Sequence, residues 1–181
     1  ALPIYMTDAR RFEATVLPRL DAAHNLARWL LRDASAAEDA VQEAALRAFR
    51  YFASLRSAEE AKPWFLDIVR NACFTALARE RGRADVTLLD EDGWDQLEAR
   101  SPSPMPDPLT TLGSQRERAL VDAALRALSP PMREVIVLRE LEGLDYRDIA
   151  HIAGIPIGTV MSRLSRARAQ LKRQLSLAGL P

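Results

Sequence analysis

Four prolines stand at every second position near the middle of the chain, at residues 102, 104, 106 and 108. Proline fixes φ and lacks a backbone donor, so this stretch cannot form a helix or a central strand. The surrounding residues 84–112 contain seven acidic side chains and a single basic one, a net charge of −6. We therefore predict an acidic, proline-rich linker at 84–112 that joins two modules, residues 1–83 and 113–181. A long surface loop within one domain is the alternative.

The first module is predicted to consist of three or four packed helices. Alanine, leucine, arginine and glutamate dominate it, and no alternating strand pattern persists. Pro18 marks a helix start or a kink. In "SAAEDAVQEAALRAFRYF", Ser35 and Glu38 have the spacing of a capping box. One apolar face of that segment is formed by Val41, Ala45, Phe49 and Phe52.

A further helix of the first module has clear ends. In "KPWFLDIVRNACFTALARERGR", Pro63 lies near the first turn and Gly82 follows the last. Its apolar stripe contains the single cysteine, Cys73, which is predicted to be a small buried side chain.

The second module is predicted to contain four helices, the last two forming a helix-turn-helix. Its first helix begins with a capping box formed by Ser114 and Glu117. Its second has Ser129 as N-cap, with Pro130 at the first helical position. "DYRDIAHIAG" opens on Asp145, and "GIP" joins it to the final helix.

The final helix combines an apolar face with a basic one. Val160, Leu164, Ala167 and Leu171 fall on one side, while small residues and arginines point the other way. From Ile155 to the end of the chain there is no carboxylate, although the chain as a whole has zero net charge. Small side chains allow close approach to the DNA major groove, and arginine can contact guanine or phosphate. A solvated basic face is the alternative interpretation.

Two stretches together resemble one protein family. "LSPPMREVIVLRELEGLDYRDIAHIAGIPIGTVMSRLSRARAQL" resembles the C-terminal domain of extracytoplasmic-function (ECF) sigma factors of bacterial RNA polymerase. "DASAAEDAVQEAALRAFR", followed by "KPWFLDIVRNACFTALARERGR", resembles their N-terminal domain. The resemblance covers nearly the whole chain outside the linker. It implies an all-α protein with two small helical domains that binds core polymerase, directs it to −10 and −35 promoter elements and helps to melt DNA.

The resemblance also implies residue roles in polymerase binding. The first domain would bind the clamp helices of the beta-prime subunit, and the second the beta flap. The clamp-binding positions are Asp39, Gln42, Glu43 and Arg47. Ala45 stands where the family usually has phenylalanine.

Promoter contacts follow from the same resemblance. The loop from Leu55 to Lys62 and an asparagine would capture an unstacked −10 base. The positions predicted to contact the −10 element are Arg56, Lys62, Arg70, Asn71, Arg79, Arg81 and Arg83. Those predicted to contact the −35 element are Thr159, Ser162, Arg163, Ser165 and Arg166.

Three further residues qualify the predicted promoter contacts. Arg133 and Arg147 are predicted to be flanking phosphate contacts. Some family members have a basic residue where this chain has Met161. This departure predicts a weaker or different −35 preference, or apolar contact with a thymine methyl group.

Other functional classes receive less support from the sequence. No phosphate loop, nucleophile elbow or metal-ligand cluster is visible, so no catalytic residue, metal or cofactor is predicted. The absence of a signal peptide pattern and of a long apolar run predicts a cytoplasmic protein with no membrane insertion. An anti-sigma factor is the expected regulatory partner. A sigma mimic that sequesters an anti-sigma factor and a stand-alone helix-turn-helix regulator remain as alternatives.

Overall fold

In the computed structural model of the chain, the described residues are 4–80, 82 and 114–180. The predicted linker at 84–112 lies outside them, as do Arg81 and Arg83. Within the described ranges every regular element is helical, which confirms the predicted all-α class.

The N-terminal half packs three helices around a common core. Helix α1 (Ile4–Val16) runs into a 3₁₀ turn (Leu17–Arg19) and then α2 (Leu20–Leu31). Helix α3 (Ala34–Arg50) is followed by a 3₁₀ turn (Phe52–Ser54) and by α4 (Ala61–Glu80). Helices α2, α3 and α4 contact one another, and Pro18 lies in the turn between α1 and α2.

Helix α3 differs from its sequence prediction at both its start and its buried face. Its N-cap is Asp33, whose side chain accepts a hydrogen bond from the Ala36 amide at 2.8 Å, so the predicted Ser35 capping box is wrong. The buried face is lined mainly by alanine (Ala37, Ala40, Val41, Ala44 and Ala48). Small side chains let α3 approach its neighbours closely. Phe49, predicted on the apolar face, lies outside this buried stripe and is 54% exposed.

The C-terminal half contains the four predicted helices. Helix α5 (Gln115–Arg126) begins with the Ser114–Glu117 capping box. Helix α6 (Pro130–Ile136) has Ser129 as N-cap and continues as a π-helical turn (Val137–Leu141). Helices α7 (Tyr146–Ala153) and α8 (Ile157–Leu177) form the helix-turn-helix. Gly154 allows the tight turn between them because its φ of +66° favours glycine.

The two halves pack against each other through α2 with α6 and α4 with α7. Arg133 of α6 is fully buried at this contact. Its guanidinium donates to the carbonyl of Trp29 at the end of α2 (2.9 Å) and to three carbonyls at the end of α5 and in the following turn. The prediction that Arg133 contacts phosphate is therefore wrong for this arrangement, because its donors satisfy backbone carbonyls in the core.

Two ion pairs also cross this contact. Arg70 Nε of α4 lies 2.6 Å from Glu134 Oε1 of α6, and both side chains are buried. Lys62 Nζ donates to the Glu142 carbonyl at 2.8 Å and lies 3.3 Å from its carboxylate. Each half thus supplies charges that the other neutralises.

Cys73 is buried as predicted, and its burial raises the pKa of its thiol to about 12.

Candidate polymerase and promoter interfaces

The residues predicted to bind polymerase form one exposed strip on α3. Asp39, Gln42 and Glu43 are exposed, and Arg47 is half-exposed one turn further on. The Arg47 guanidinium lies 3.0 Å from a Glu43 carboxylate oxygen. Because the alanine face below is fully packed, the helix presents these polar side chains on a rigid support.

Residues predicted to contact the −10 element divide into two groups. Arg56, Asn71 and Arg79 are exposed, and Asn71 donates to the Asp67 carboxylate at 3.3 Å. Arg70 is 9% exposed, and its guanidinium lies against the Phe74 ring, 4.0 Å from its centre. Lys62 is held by Glu142. In this arrangement the −10 positions Arg70 and Lys62 are turned toward the C-terminal half.

Helix α7 lies over the loop predicted to capture a base. A cavity of about 460 Å³ is lined on one side by loop and α4 residues, including Leu55, Arg56 and Trp64. Its other side is formed by Arg147, Asp148 and His151 of α7. Access to this side of the loop is therefore restricted while the halves are packed together.

Burial at this contact also changes the acidity of its carboxylates. His151 Nε2 lies 3.8 Å from the Asp67 carboxylate. Burial raises the pKa of Asp67 above its usual value, while electrostatic interactions with His151 and Arg70 oppose the rise. Burial, reinforced by the neighbouring Asp145 charge, also raises the pKa of Asp148.

The helix-turn-helix presents the residues predicted to read the −35 element on the outer surface of α8. Val160, Leu164 and Ala167 are buried against the preceding helices. Ser162, Ser165 and Arg166 are exposed, with Thr159 and Arg163 half-exposed beside them. The structure thus brings all five predicted −35 residues onto one accessible helix face.

Two features of this surface did not follow from residue type alone. Ile157 and Met161 are 44% and 53% exposed, so the start of α8 is apolar and accessible. Arg168 Nη2 lies 2.6 Å from Glu140 Oε1, an exposed ion pair between α8 and the end of the π-helical turn. The spacing of Ile157 and Met161, one helical turn apart, is the signal that indicates a shared face.

Neither a metal cluster nor a spanning helix was found in the parts of the chain that the structure describes. There, no three metal-binding side chains come together. No helix in the same ranges has the length and apolar character needed to cross a bilayer.

The fold and its exposed surfaces define an all-helical protein of two packed halves, the second of which contains a helix-turn-helix. Comparison with protein-family models identifies the class of protein more closely. Residues 16–83 match the family model "Sigma-70 region 2", and residues 118–171 match "Sigma-70, region 4". The first matched range lies within residues 1–83 and the second within residues 113–181.

Related proteins of similar sequence belong to the same family as these matches indicate. The chain is 31% identical to the RNA polymerase sigma-H factor of Pseudomonas aeruginosa over 93% of its own length and 88% of that protein. It is 33% identical to the ECF sigma factor SigE of Mycolicibacterium smegmatis over 91% of its length, but spans only 62% of that relative.

Solved structures show the same fold. The sigma factor RpoE from Bartonella quintana, in complex with the anti-sigma factor NepR, aligns with a TM-score of 0.69 at 30% identity. The alignment covers 92% of this chain and 98% of that one. CnrH in complex with the cytosolic domain of CnrY aligns with a TM-score of 0.62 at 22% identity, a likeness of fold. The chain belongs to the ECF subfamily of sigma-70 RNA polymerase sigma factors, which are transcription initiation factors that direct polymerase to promoters.

Proposed function

We propose that the chain binds core RNA polymerase through the α3 strip, reads the −35 element with α8, and contacts the separated −10 strand through the loop before α4. The observation that carries this proposal is the presence of two distinct exposed surfaces. One is polar and lies on α3, and the other is basic, free of carboxylates, and lies on α8. A helix without carboxylates avoids repulsion by DNA phosphates, and a mixed-charge strip suits a protein partner.

The proposed cycle requires no covalent chemistry by this chain. Binding energy alone would place polymerase at a start site in the cytoplasm, so we assign no catalytic residue. The predicted anti-sigma partner is supported by the NepR complex of the Bartonella quintana relative. Such a partner would hold the chain away from polymerase.

Transcription by purified core polymerase and the full chain, on genomic fragments, tests this proposal. Initiation at defined start sites that depends on the added chain is expected. A sigma mimic would give no transcripts while still binding an anti-sigma factor. A stand-alone regulator would bind promoter DNA tightly without polymerase.

Single substitutions separate the polymerase-binding role of α3 from the promoter-reading role of α8, when core polymerase binding is measured beside transcription. Asp39→Ala is expected to weaken core polymerase binding by roughly five-fold or more, as loss of a significant interface contact does, with the exposed neighbour Glu38→Ala as control. Arg166→Ala is expected to lower transcription from the selected promoters without changing polymerase affinity. Lys172→Ala, near the far end of α8, is its control. Equal effects of a variant and its control would refute the assignment.

A further inference from the structure

A row of four side chains runs along one face of α4, beside the loop that precedes this helix. Its members, named here the α4 row, are Trp64, Asp67, Asn71 and Thr75, which follow one another at helical spacing. Asn71 is exposed, and the other three are half-buried. Trp64 lines the cavity of about 460 Å³ together with residues of the loop. A −10 base that is captured by the loop and Asn71 therefore meets the α4 row.

Most hydrogen-bond donors of the α4 row are already used within the protein. The Trp64 indole N–H donates to Ser54 Oγ at 3.4 Å, and the Thr75 hydroxyl donates to the backbone carbonyl of Asn71 at 2.8 Å. The side-chain amide of Asn71 donates one N–H from Nδ2 to Asp67 Oδ1 at 3.3 Å. Its carbonyl oxygen, Oδ1, is reached by no donor among the described residues. The edge of the amide that remains for a ligand is therefore Oδ1 with the second N–H of Nδ2.

The Asp67 carboxylate fixes this orientation of the amide. An ionised carboxylate only accepts hydrogen bonds, so the reversed amide would set two acceptor oxygens against each other. His151 of the other half approaches the second carboxylate oxygen, Asp67 Oδ2, at 3.8 Å, and so does not replace Asn71 at Oδ1. Asp67 and Asn71 lie one turn apart on α4, and their contact is therefore retained when the two halves separate.

We propose that Asp67 is a positioning residue that fixes the Asn71 amide and thereby selects a −10 base with an exocyclic amine, cytosine or adenine. Both bases place an amine donor beside a ring-nitrogen acceptor, which matches the free edge of the amide. Guanine and thymine present a carbonyl oxygen in place of the amine and would meet Asn71 Oδ1 acceptor to acceptor. The inference rests on the proposed −10 contact and adds to it the class of base and the residue that selects it.

Base analogues in the promoter strand test this selection. Holoenzyme assembled from core polymerase and the full chain is bound to a pre-melted promoter recovered by selection, with the bases of the non-template −10 strand varied one at a time. The captured position is the one at which Asn71→Ala removes the preference between bases. At that position cytosine should be held more tightly than uracil, and adenine more tightly than hypoxanthine. The expected ratio is roughly two- to ten-fold, the net contribution of one hydrogen bond.

Variants then test the role of Asp67 in this preference. Asp67→Lys puts a donor where the carboxylate was, so the Asn71 amide should turn round and the preference should change to uracil over cytosine. Asp67→Glu should keep the preference for cytosine. Glu59→Lys is the matched control, because it makes the same charge change at an exposed loop position that has no hydrogen bond to Asn71. The ratio of the two affinities is the readout, since an added positive charge strengthens binding to every strand.

The possible results separate this inference from the proposed function. A preference for cytosine that persists in Asp67→Lys, or that is reversed equally in Glu59→Lys, overturns the role of Asp67 and leaves the proposed function intact. A wild-type preference for uracil over cytosine and for hypoxanthine over adenine overturns the assigned class of base. Wild-type holoenzyme that holds the promoter with no position dependent on Asn71 overturns base capture by Asn71 together with this inference. Wild-type holoenzyme that holds no promoter overturns the proposed function itself.

Discussion

Replacing Glu134 by glutamine should separate the two halves of the molecule. The Arg70 guanidinium and the Glu134 carboxylate approach to 2.6 Å across the contact, with side chains 11% and 1% exposed. Glutamine keeps the shape of the side chain but removes its charge. Arg70 is then left buried without a counter-charge, while the fold of each half is unaltered.

The size of the effect depends on the environment of Arg70 in the closed and in the open arrangement of the halves. Removing one partner of a buried ion pair costs about 3–5 kcal/mol, because the other charge remains desolvated. Glu134 Oε2 has no hydrogen-bond partner among the described residues, and the Phe74 ring still faces the guanidinium at 4.0 Å. Both facts favour the lower end, about 3 kcal/mol. Separation of the halves returns Arg70 to water, so this cost shifts the closed-to-open equilibrium by roughly a hundred-fold.

Single-molecule energy transfer between dyes on the two halves measures that equilibrium. The dyes are attached to exposed positions replaced by cysteine, where the buried Cys73 does not compete. Glu134→Gln should increase the low-transfer population about a hundred-fold over wild type at the same low urea concentration.

The control is Glu140→Gln, which breaks a pair of the same 2.6 Å length whose side chains are 47% and 49% exposed. Exposed pairs contribute about 0–1 kcal/mol, so little change is expected. The double variant Arg70→Met, Glu134→Leu should restore the closed state, because an apolar pair avoids the desolvation cost. Equal open fractions in Glu134→Gln and Glu140→Gln would refute this reasoning.

Four further measurements probe the two halves separately. Cys73 should react with iodoacetamide at pH 8 only as fast as the chain unfolds, because its pKa of about 12 leaves almost no thiolate; rapid alkylation in native buffer would contradict this. The same raised pKa predicts that the contribution of Cys73 to stability is constant below the unfolded value of 9.0 and is lost as pH rises from 9 toward 12, and that Cys73→Ala removes this contribution in urea titrations. Gly154→Ala should destabilise the chain by about 1–2 kcal/mol in urea unfolding, since its φ is +66°, and Gly158→Ala, in a right-handed helical turn, should not. Asp145→Ala should cost about 1 kcal/mol, because its side chain accepts from the Asp148 amide at 2.8 Å, and an unchanged urea midpoint would show that the cap contributes nothing.

Local signals in the sequence were sufficient for most of the helices. Ser114 and Asp145 each mark a helix start by accepting a hydrogen bond from the amide three residues further on, while Pro130 marks a start and Gly154 an end through their own backbone preferences. Such contacts depend little on the rest of the fold, so they can be recognised without it. The core of α8 was predictable for the same reason, because Val160, Leu164 and Ala167 repeat at helical spacing.

Helix α3 shows where local reasoning failed. Large apolar side chains were expected to face the core, yet the buried stripe is chiefly alanine and Phe49 is half-exposed. Which face of an amphipathic helix is buried depends on how its neighbours pack against it, and the stripe covered here carries Ala40, Ala44 and Ala48. The exposed ring is instead held at its edge by Phe12, from a helix that precedes it by more than thirty residues.

The contact between the halves was invisible in the sequence because the charges that form it resemble surface charges. Arg133 and Glu134 are neighbours on α6, yet one reaches the end of α2 and the other reaches α4. Each partner is more than sixty residues away, beyond the range of any capping or pairing pattern. The same contact decides what Arg70 can do: with its guanidinium bound to Glu134, it can meet a DNA strand only after the halves separate. Its predicted role at the −10 element and the stability of the closed arrangement are therefore alternatives that compete for one side chain.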